Sequence, residues 1–449
     1  MLAAVSRSIV PCLFILALAV HAQAFWTFSS EFVSLDITGD FRSTAAGTRN
    51  YDDPVLFGVD NRYDVISQTF ARIISEGTIR EHVSFEFHLV LETYAEPQAS
   101  GTLPVAFRTS AINTPYRISK PAWYLVEDSD FNTTTNADRM NVSLEMNPVS
   151  ITLGRQAIDF SRSYFWNPLD IFQPFSPDAF DRDYRPGSDA LRVDIAMEQS
   201  SSLSLVASTG RKLLPLVSGT GIIVLTEDLG VDQWYASALV ARYQTVLRDS
   251  DLILQGGKVY GGYQVGAGFN KTFGPVGLHA EGALFLARGD SSVLILDAGT
   301  SSEQYQVDLF ENHLAVVLGV NHRFENGLFF NLDYLFNGGG NDDYLFDALL
   351  RSALGGTLSL SRQLAGLQVS YDFHQRITGG LSWIYSLSDG SSLACPALRY
   401  SVSDASEFRL GGILAFGKRP SSEQTSFLVP ESEFGTYSHS AYFQFFFSF

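Results

Sequence analysis

Residues with useful chemistry are scattered in this chain, and few stand at a working spacing. Gly412-Ile413-Leu414-Ala415-Phe416-Gly417-Lys418 fits the G-x-x-x-x-G-K of a phosphate-cradling loop. Arg419, however, stands where a Ser or Thr must reach magnesium, and the stretch reads as a strand rather than a strand–loop–helix unit. Asn341-Asp342-Asp343 follows three glycines and could hold a cation, yet no bidentate Glu follows at calcium-loop spacing. The eight histidines show no zinc-ligand spacing, and there is no G-x-S-x-G element. His279 and Glu281 share a strand face, which fits a hydrogen bond to a wet interior better than a reaction. No metal and no cofactor is therefore expected. What remains is a concentration of opposed charge: Arg155, Asp159, Asp181, Arg182, Asp183, Arg185, Arg192 and Asp194. Charges packed so densely can set a local field that sorts permeating solutes, and that task breaks no bond.

The elements that would position those charges are strands. Val83, Phe85, Phe87, Leu89 and Leu91 alternate with Ser84, Glu86, His88 and Glu92. The same period of two recurs at 139–146, 190–198, 328–336 and 367–374, with charged residues on one face each time. Alternation of this kind suits a wall with lipid on one side and water on the other. Short turns are expected at Asn147-Pro148, Glu198-Gln199-Ser200, Phe273-Gly274-Pro275, Glu325-Asn326-Gly327, Leu364-Ala365-Gly366 and Ser388-Asp389-Gly390. Longer segments fall at about 41–61, 96–135, 161–186, 212–231, 289–310, 338–354 and 419–436. Short turns on one side and long loops on the other imply an all-β transmembrane antiparallel barrel with long extracellular loops. Counting runs gives 19, or 20 with Ile118–Val126. An even number is required when both termini share a side, and the similar turns of 338–418 obscure the count. About 18 strands are expected, enough to leave an aqueous channel. Helical spacing at 345, 346, 349 and 350, behind Asp342 and Asp343, predicts one short helix within a loop.

Both ends of the chain fit this class. Arg7, the apolar run Ile9–Val20 and His21-Ala22-Gln23-Ala24 read as a secretory leader over 1–24, leaving 25–449 as the barrel. The last strand would place Phe443, Phe445, Phe447 and Phe449 on one face, suited to lipid and to an interfacial aromatic belt. That pattern resembles the C-terminal signature by which such barrels are recognised for membrane assembly. Only Cys395 would remain in the mature chain, so no internal disulfide can form. Aromatics make up 13 % of the residues, while mean hydropathy is near zero at +0.06, as expected where a lipid face averages against a polar lumen. The net charge of −18 makes nucleic acid an improbable partner.

One stretch carries more order than a solvent loop needs. Leu153-Gly154-Arg155-Gln156 leads into Trp166-Asn167-Pro168-Leu169-Asp170, and Asp181-Arg182-Asp183-Tyr184-Arg185-Pro186-Gly187-Ser188-Asp189 returns. This segment resembles one found in uncharacterised porin-like outer-membrane proteins, a group similar to the alginate-export and other substrate-selective porins of Gram-negative cells. The likeness covers about 45 residues, with a weaker echo at Phe336-Asn337-Gly338-Gly339 and in the last strand. It implies an outer-membrane location, with membrane lipids and the barrel-assembly machinery as partners and small solutes as cargo. Physically, Trp166, Phe172, Phe175 and Phe180 need burial and the charges need partners. A loop folded into the barrel meets both needs, with Arg155, Arg192 and Asp194 as the wall residues facing it; a loop folded outside, stapling the rim, meets them too. Passive diffusion of small hydrophilic solutes is the leading reading, with no enzyme activity. Its rivals are a structural or adhesive barrel plugged by its loops, and a barrel lipase or protease. The last would need one of His82, His88, His279, His313 or His374 beside a carboxylate and a hydroxyl.

Overall fold

The computed structural model describes residues 26–50, 63–95, 115–118, 122–128, 131–172, 184–198, 200–217, 223–227, 233–288, 292–297, 302–307, 310–343, 345–420 and 430–449. The leader proposed at 1–24 lies outside them, as do Phe175, Phe180, Asp181, Arg182 and Asp183. In chain order the strands are β1 (Trp26–Ser29), β2 (Val33–Arg49), β3 (Tyr63–Ile79), β4 (Val83–Ala95), β5 (Ala122–Glu127), β6 (Phe131–Met146), β7 (Val149–Gln156) and β8 (Ser188–Met197). Then come β9 (Ser201–Ser208), β10 (Leu213–Val217), β11 (Ile223–Glu227), β12 (Ala238–Leu247), β13 (Ser250–Val259), β14 (Gly262–Phe273), β15 (Val276–Ala287) and β16 (Ser292–Asp297). The last eight are β17 (Ser302–Val307), β18 (His313–Arg323), β19 (Phe329–Asn337), β20 (Gln363–His374), β21 (Ile377–Ser386), β22 (Ser392–Ser403), β23 (Ser406–Phe416) and β24 (His439–Ser448). Among the described residues two helices, α1 (Gln233–Ala236) and α2 (Leu345–Ala353), lie in loops.

Eighteen strands form the wall: β2–β4, β6–β9, β12–β15 and β18–β24, each antiparallel to the next, with β24 closing on β2. Closure leaves no edge to present unpaired backbone groups to lipid. Two further strands, β1 and β5, pair along part of a wall strand without closing the barrel. Trp26–Ser29 pairs with Ser34–Ile37 of β2, while β24 holds β2 from Asp40 upward, so β1 continues the seam where β24 stops. β5, the Ile118–Val126 candidate, pairs with β6 at 132–136, beyond the Met140–Met146 stretch that pairs with β7. Both are strands, but neither is a full wall member.

One turn expectation needs correction: Leu364-Ala365-Gly366 lies inside β20. Ser388-Asp389-Gly390 does form a short turn, between β21 and β22 at the long-loop end. The described turns of the other end are short, as between β3 and β4, β6 and β7, β12 and β13, and β22 and β23. Two long segments are shorter than expected: 41–49 belongs to β2, so the first begins later, and 131–135 belongs to β6, so the second ends earlier. The helix appears over 345–353, in the loop between β19 and β20.

Alternation sorts the wall residues as lipid and water demand. In β6, Met140 and Val142 are more than half exposed beside the buried Asn141. Leu153, Leu191, Leu254, Val265 and Leu318 likewise face out, while Arg242, Gln255, Glu281 and Asp333 are buried on the inner side. In β24, Phe443 and Phe445 share register with Leu410 and Phe408 of β23, and Phe447 with Phe41 of β2. Gln444 turns inward to donate to Thr44 at 2.9 Å. No described helix is long and apolar enough to cross a membrane; the crossing is made by strands.

Candidate functional site

The loop between β7 and β8 lies inside the barrel, as its contacts around the circumference require. Ile158, Phe160 and Phe172 pack with Ala190, Val206 and Val240 on the inner face of β8, β9 and β12. Leu169 reaches Ile253 and Ala283 on β13 and β15. Phe165 and Trp166 meet Val317, Leu335, Leu364, Ile384 and Leu393, which span β18 to β22. At the return end, the Tyr184 ring sits between the guanidiniums of Arg72 on β3, 4.1 Å away, and Arg139 on β6, 4.7 Å away. A loop outside the rim could touch only neighbouring strands. This one touches opposite walls, so the rim-staple reading fails for residues 158–172 and 184–185.

Its local shape follows from its sequence. Asn167 Oδ1 accepts the Arg162 and Ser163 amides, each at 2.7 Å, and the Asn167 carbonyl accepts Asp170 N at 3.0 Å. That turn aims Phe165 and Trp166 to one side and Leu169 to the other. Backbone groups carried into the lumen need partners, and wall side chains supply them. Phe165 N donates to Asp333 Oδ2 at 3.2 Å, and Leu169 N to Glu281 Oε1 at 2.7 Å. Gln255 and Gln264 donate to the carbonyls of Leu169 and Pro168 at 2.8 and 3.0 Å. His279 Nε2 and Asn331 Nδ2 in turn meet Asp333 Oδ1 at 2.9 and 2.8 Å. Gly366 makes room for the tip: a Cβ there would stand 2.6 Å from the Phe165 ring. That explains why its glycine signal read as a turn, since glycine within a strand also marks a close approach.

Among the described residues, the charged positions singled out in the sequence divide into three groups. Arg185 pairs with Asp159 at 3.0 Å and with Asp170 at 2.5 Å, and donates to Ser161 Oγ. Asp159 remains 55 % exposed, so it still faces water. Arg192 and Asp194 pair with each other across 2.7 Å on β8, with Ser204 Oγ donating to Asp194. Arg155 stands apart. It stands two residues after the outward-facing Leu153 on β7, opposite Asp189 of β8, and is 4 % exposed. Its Nε and Nη2 bind Asp189 at 2.7 and 2.9 Å, and its Nη1 donates to the Ala137 carbonyl. Beside it, Arg117 pairs with Asp138 and donates to the Gly187 carbonyl at 2.8 Å. Arg155 therefore clamps the root of the loop instead of facing its tip. The residues missed in the sequence, Asp333, Gln255 and Gln264, are polar residues at inward strand positions.

Register also builds a cluster that linear spacing hides. Glu76 lies directly across from Glu86, and His88 Nε2 is 3.8 and 3.0 Å from their carboxylates. These three could offer ligand atoms to a metal, a grouping absent from the sequence reading because the two glutamates are on different strands. Arg139 at 2.8 Å and Asn141 at 2.7 Å already occupy Glu86, so a cation is supplied by the protein itself. His88 Nδ1 meets Tyr184 OH at 3.1 Å. Burial pushes that phenol far above its ordinary range, which keeps it protonated and unsuited to act as a nucleophile.

No protein-family model matches the chain, and no curated protein matches it in sequence. Solved structures do match its shape. OccK11 (OpdR) of Pseudomonas aeruginosa aligns over 94 % of this chain and 99 % of its own, at 9 % identity and a TM-score of 0.51. OccK8 (OprE) of the same organism aligns over 92 % and 98 %, at 10 % identity and 0.51. The fold is that of an outer-membrane porin. OccAB4 of Acinetobacter baumannii gives the same result at 8 % identity and 0.50, over 92 % and 98 % of the two chains.

Proposed function

We propose that this protein is a porin-like outer-membrane channel for passive diffusion of small hydrophilic solutes. The observation that carries the reading is the loop held across the lumen of a closed 18-stranded barrel by buried wall groups. A loop anchored to opposite walls narrows the passage, and charges in a narrow, poorly solvated space act strongly on permeating ions. Asp159, Arg185, Arg192 and Asp194 are assigned to that constriction, together with Asp181, Arg182 and Asp183, while Arg155 supports it. Residues 1–24 act as the leader, and Phe443, Phe445, Phe447 and Phe449 as the assembly signature read by the barrel-assembly machinery. No bond-making step is required; His279 is engaged by Asp333 and His88 by Glu86 and Tyr184. The second reading is a plugged structural barrel, favoured by the burial of Ala348 and Leu350 in α2 beside the inward loop.

Conductance of refolded protein in planar bilayers separates the two. The channel reading expects discrete open levels and a rise in conductance when Gly366→Leu displaces Phe165 or when residues 161–170 are replaced by a short linker. Charge reversal at Arg182 and Arg192 to Glu should shift selectivity toward cations. A folded parent without conductance, made conductive only by the loop variants, is a plug.

A further inference from the structure

Between the inward loop and the loop that carries α2 lies a cavity of about 260 Å³ near the mouth of the barrel. Its wall is largely aromatic and apolar. Tyr116 and Phe172 have ring centroids 5.1 Å apart, Tyr260 and Phe310 5.4 Å, and Phe285 and Phe310 5.8 Å. His313 stacks on Phe285 at 5.2 Å. We infer that this cavity is a binding site for a small uncharged aromatic molecule bearing one hydrogen-bond donor.

The polar groups at the border specify that donor. Asp170 is held by Arg185 at 2.5 Å. Tyr260 OH donates to the Leu213 carbonyl and accepts Leu213 N at 2.9 Å, while Tyr116 OH accepts Tyr260 N at 2.9 Å. Gln264 is spent on the Pro168 carbonyl. His313 differs. Its Nδ1 lies 2.8 Å from the Glu311 carbonyl, which can only accept, so Nδ1 carries the proton. In the neutral ring that leaves Nε2 as an acceptor. Ring faces and one acceptor suit an aromatic N–H or O–H; a charged solute would lose its hydration against this wall without gaining a counter-ion. A dry apolar cavity of roughly 150 Å³ already holds benzene, so this one has room for two fused rings.

The site deepens the channel reading and rests on it only for the route by which the molecule arrives. Binding is therefore measured without current, by calorimetry on the folded barrel in detergent, using indole and 1-methylindole; a bilayer recording is run in parallel. The parent should bind indole saturably at one site and about tenfold more tightly than 1-methylindole, the range of one buried hydrogen bond. His313→Phe, which keeps the stacked ring and removes the acceptor, should erase that preference. Ala315→Leu, which fills the cavity, should weaken both molecules by about tenfold or more. The proposal is overturned if the parent shows no saturable indole binding, or if folded Ala315→Leu binds both molecules like the parent. Should Ala315→Leu fail to fold, an unchanged preference in His313→Phe overturns it alone. A parent that binds indole but carries no current retains the site and refutes the channel.

Discussion

Glu433 shows what a single buried carboxyl does at the mouth of this barrel. Its oxygens accept Leu360 N at 3.2 Å and Ser361 N at 2.5 Å, and its own amide donates to Asp389 Oδ2 at 2.7 Å. One residue thus ties the loop at 417–438 to those at 338–362 and 387–391. Burial dominates its titration, with Asp389 adding repulsion, and the amide bonds only partly offset them; the pKa is pushed up to about 7. A folded pKa above the unfolded one means stability fully present below the unfolded value and lost as pH rises through the folded one. Protection factors at 430–437, in which the intrinsic pH dependence of amide exchange is divided out, should accordingly be highest below about pH 4.5 and fall progressively as pH rises to about 7. Glu433→Gln should flatten that profile, and a parent profile already flat over this window would refute the assignment. Nothing in the sequence marks Glu433, since its partners are 44 to 73 positions away. The constriction was half legible for the same reason. Trp166 and Phe172 announce a need for burial, whereas Asp333, 168 positions from Phe165, becomes an anchor only through strand register.

At the scale of elements, β24 was the most readable part of the chain, because period two and a single aromatic face leave one orientation. Its aromatics form a continuous outer patch across the seam: Phe408 stacks on Phe443 at 5.5 Å, Phe41 lies 6.4 Å from Phe445, and Phe447 stacks on Phe449 at 6.0 Å. Serine at 445, 447 and 449 would remove about 2 kcal/mol or more of apolar transfer per site and expose hydroxyls to lipid. Outer-membrane levels of the triple variant should fall severalfold while synthesis is unchanged, as read by blotting membrane fractions; undiminished levels would show that this face is dispensable for assembly. The elements that resisted reading did so for nameable reasons. β1 and β5 carry strand-like residues but pair along part of one edge, and pairing is not written in a single run. In 338–418, Gly366 punctuates a strand to admit Phe165, and Ser388-Asp389-Gly390 looks like the turns of the other end although it joins β21 to β22 at the mouth.

For the whole molecule, stability rests on closure. The β2–β24 seam joins residues about 400 positions apart, from Asp40↔Ser448 to Arg49↔His439, and Phe449 exchanges both backbone hydrogen bonds with Gly39. Below that point β1 takes over the same edge of β2. A barrel closed in this way has no end at which to fray within the membrane, so unfolding must break the ladder in apolar surroundings, where each unsatisfied group costs several kcal/mol. Detergent at room temperature should therefore leave it folded and compact, and boiling should open it. Unboiled protein is expected to migrate faster on detergent gels than boiled protein. Deleting residues 26–29 strips partners only from Ser34–Ile37 at the lower end of the seam. That variant should still show the mobility shift, with conversion to the slow form at a lower temperature than the parent. Identical mobility before and after boiling, together with recovery of the parent in the aqueous fraction, would rule out a closed membrane barrel. A deletion that converts at the parent's temperature would show instead that β24 alone secures the seam.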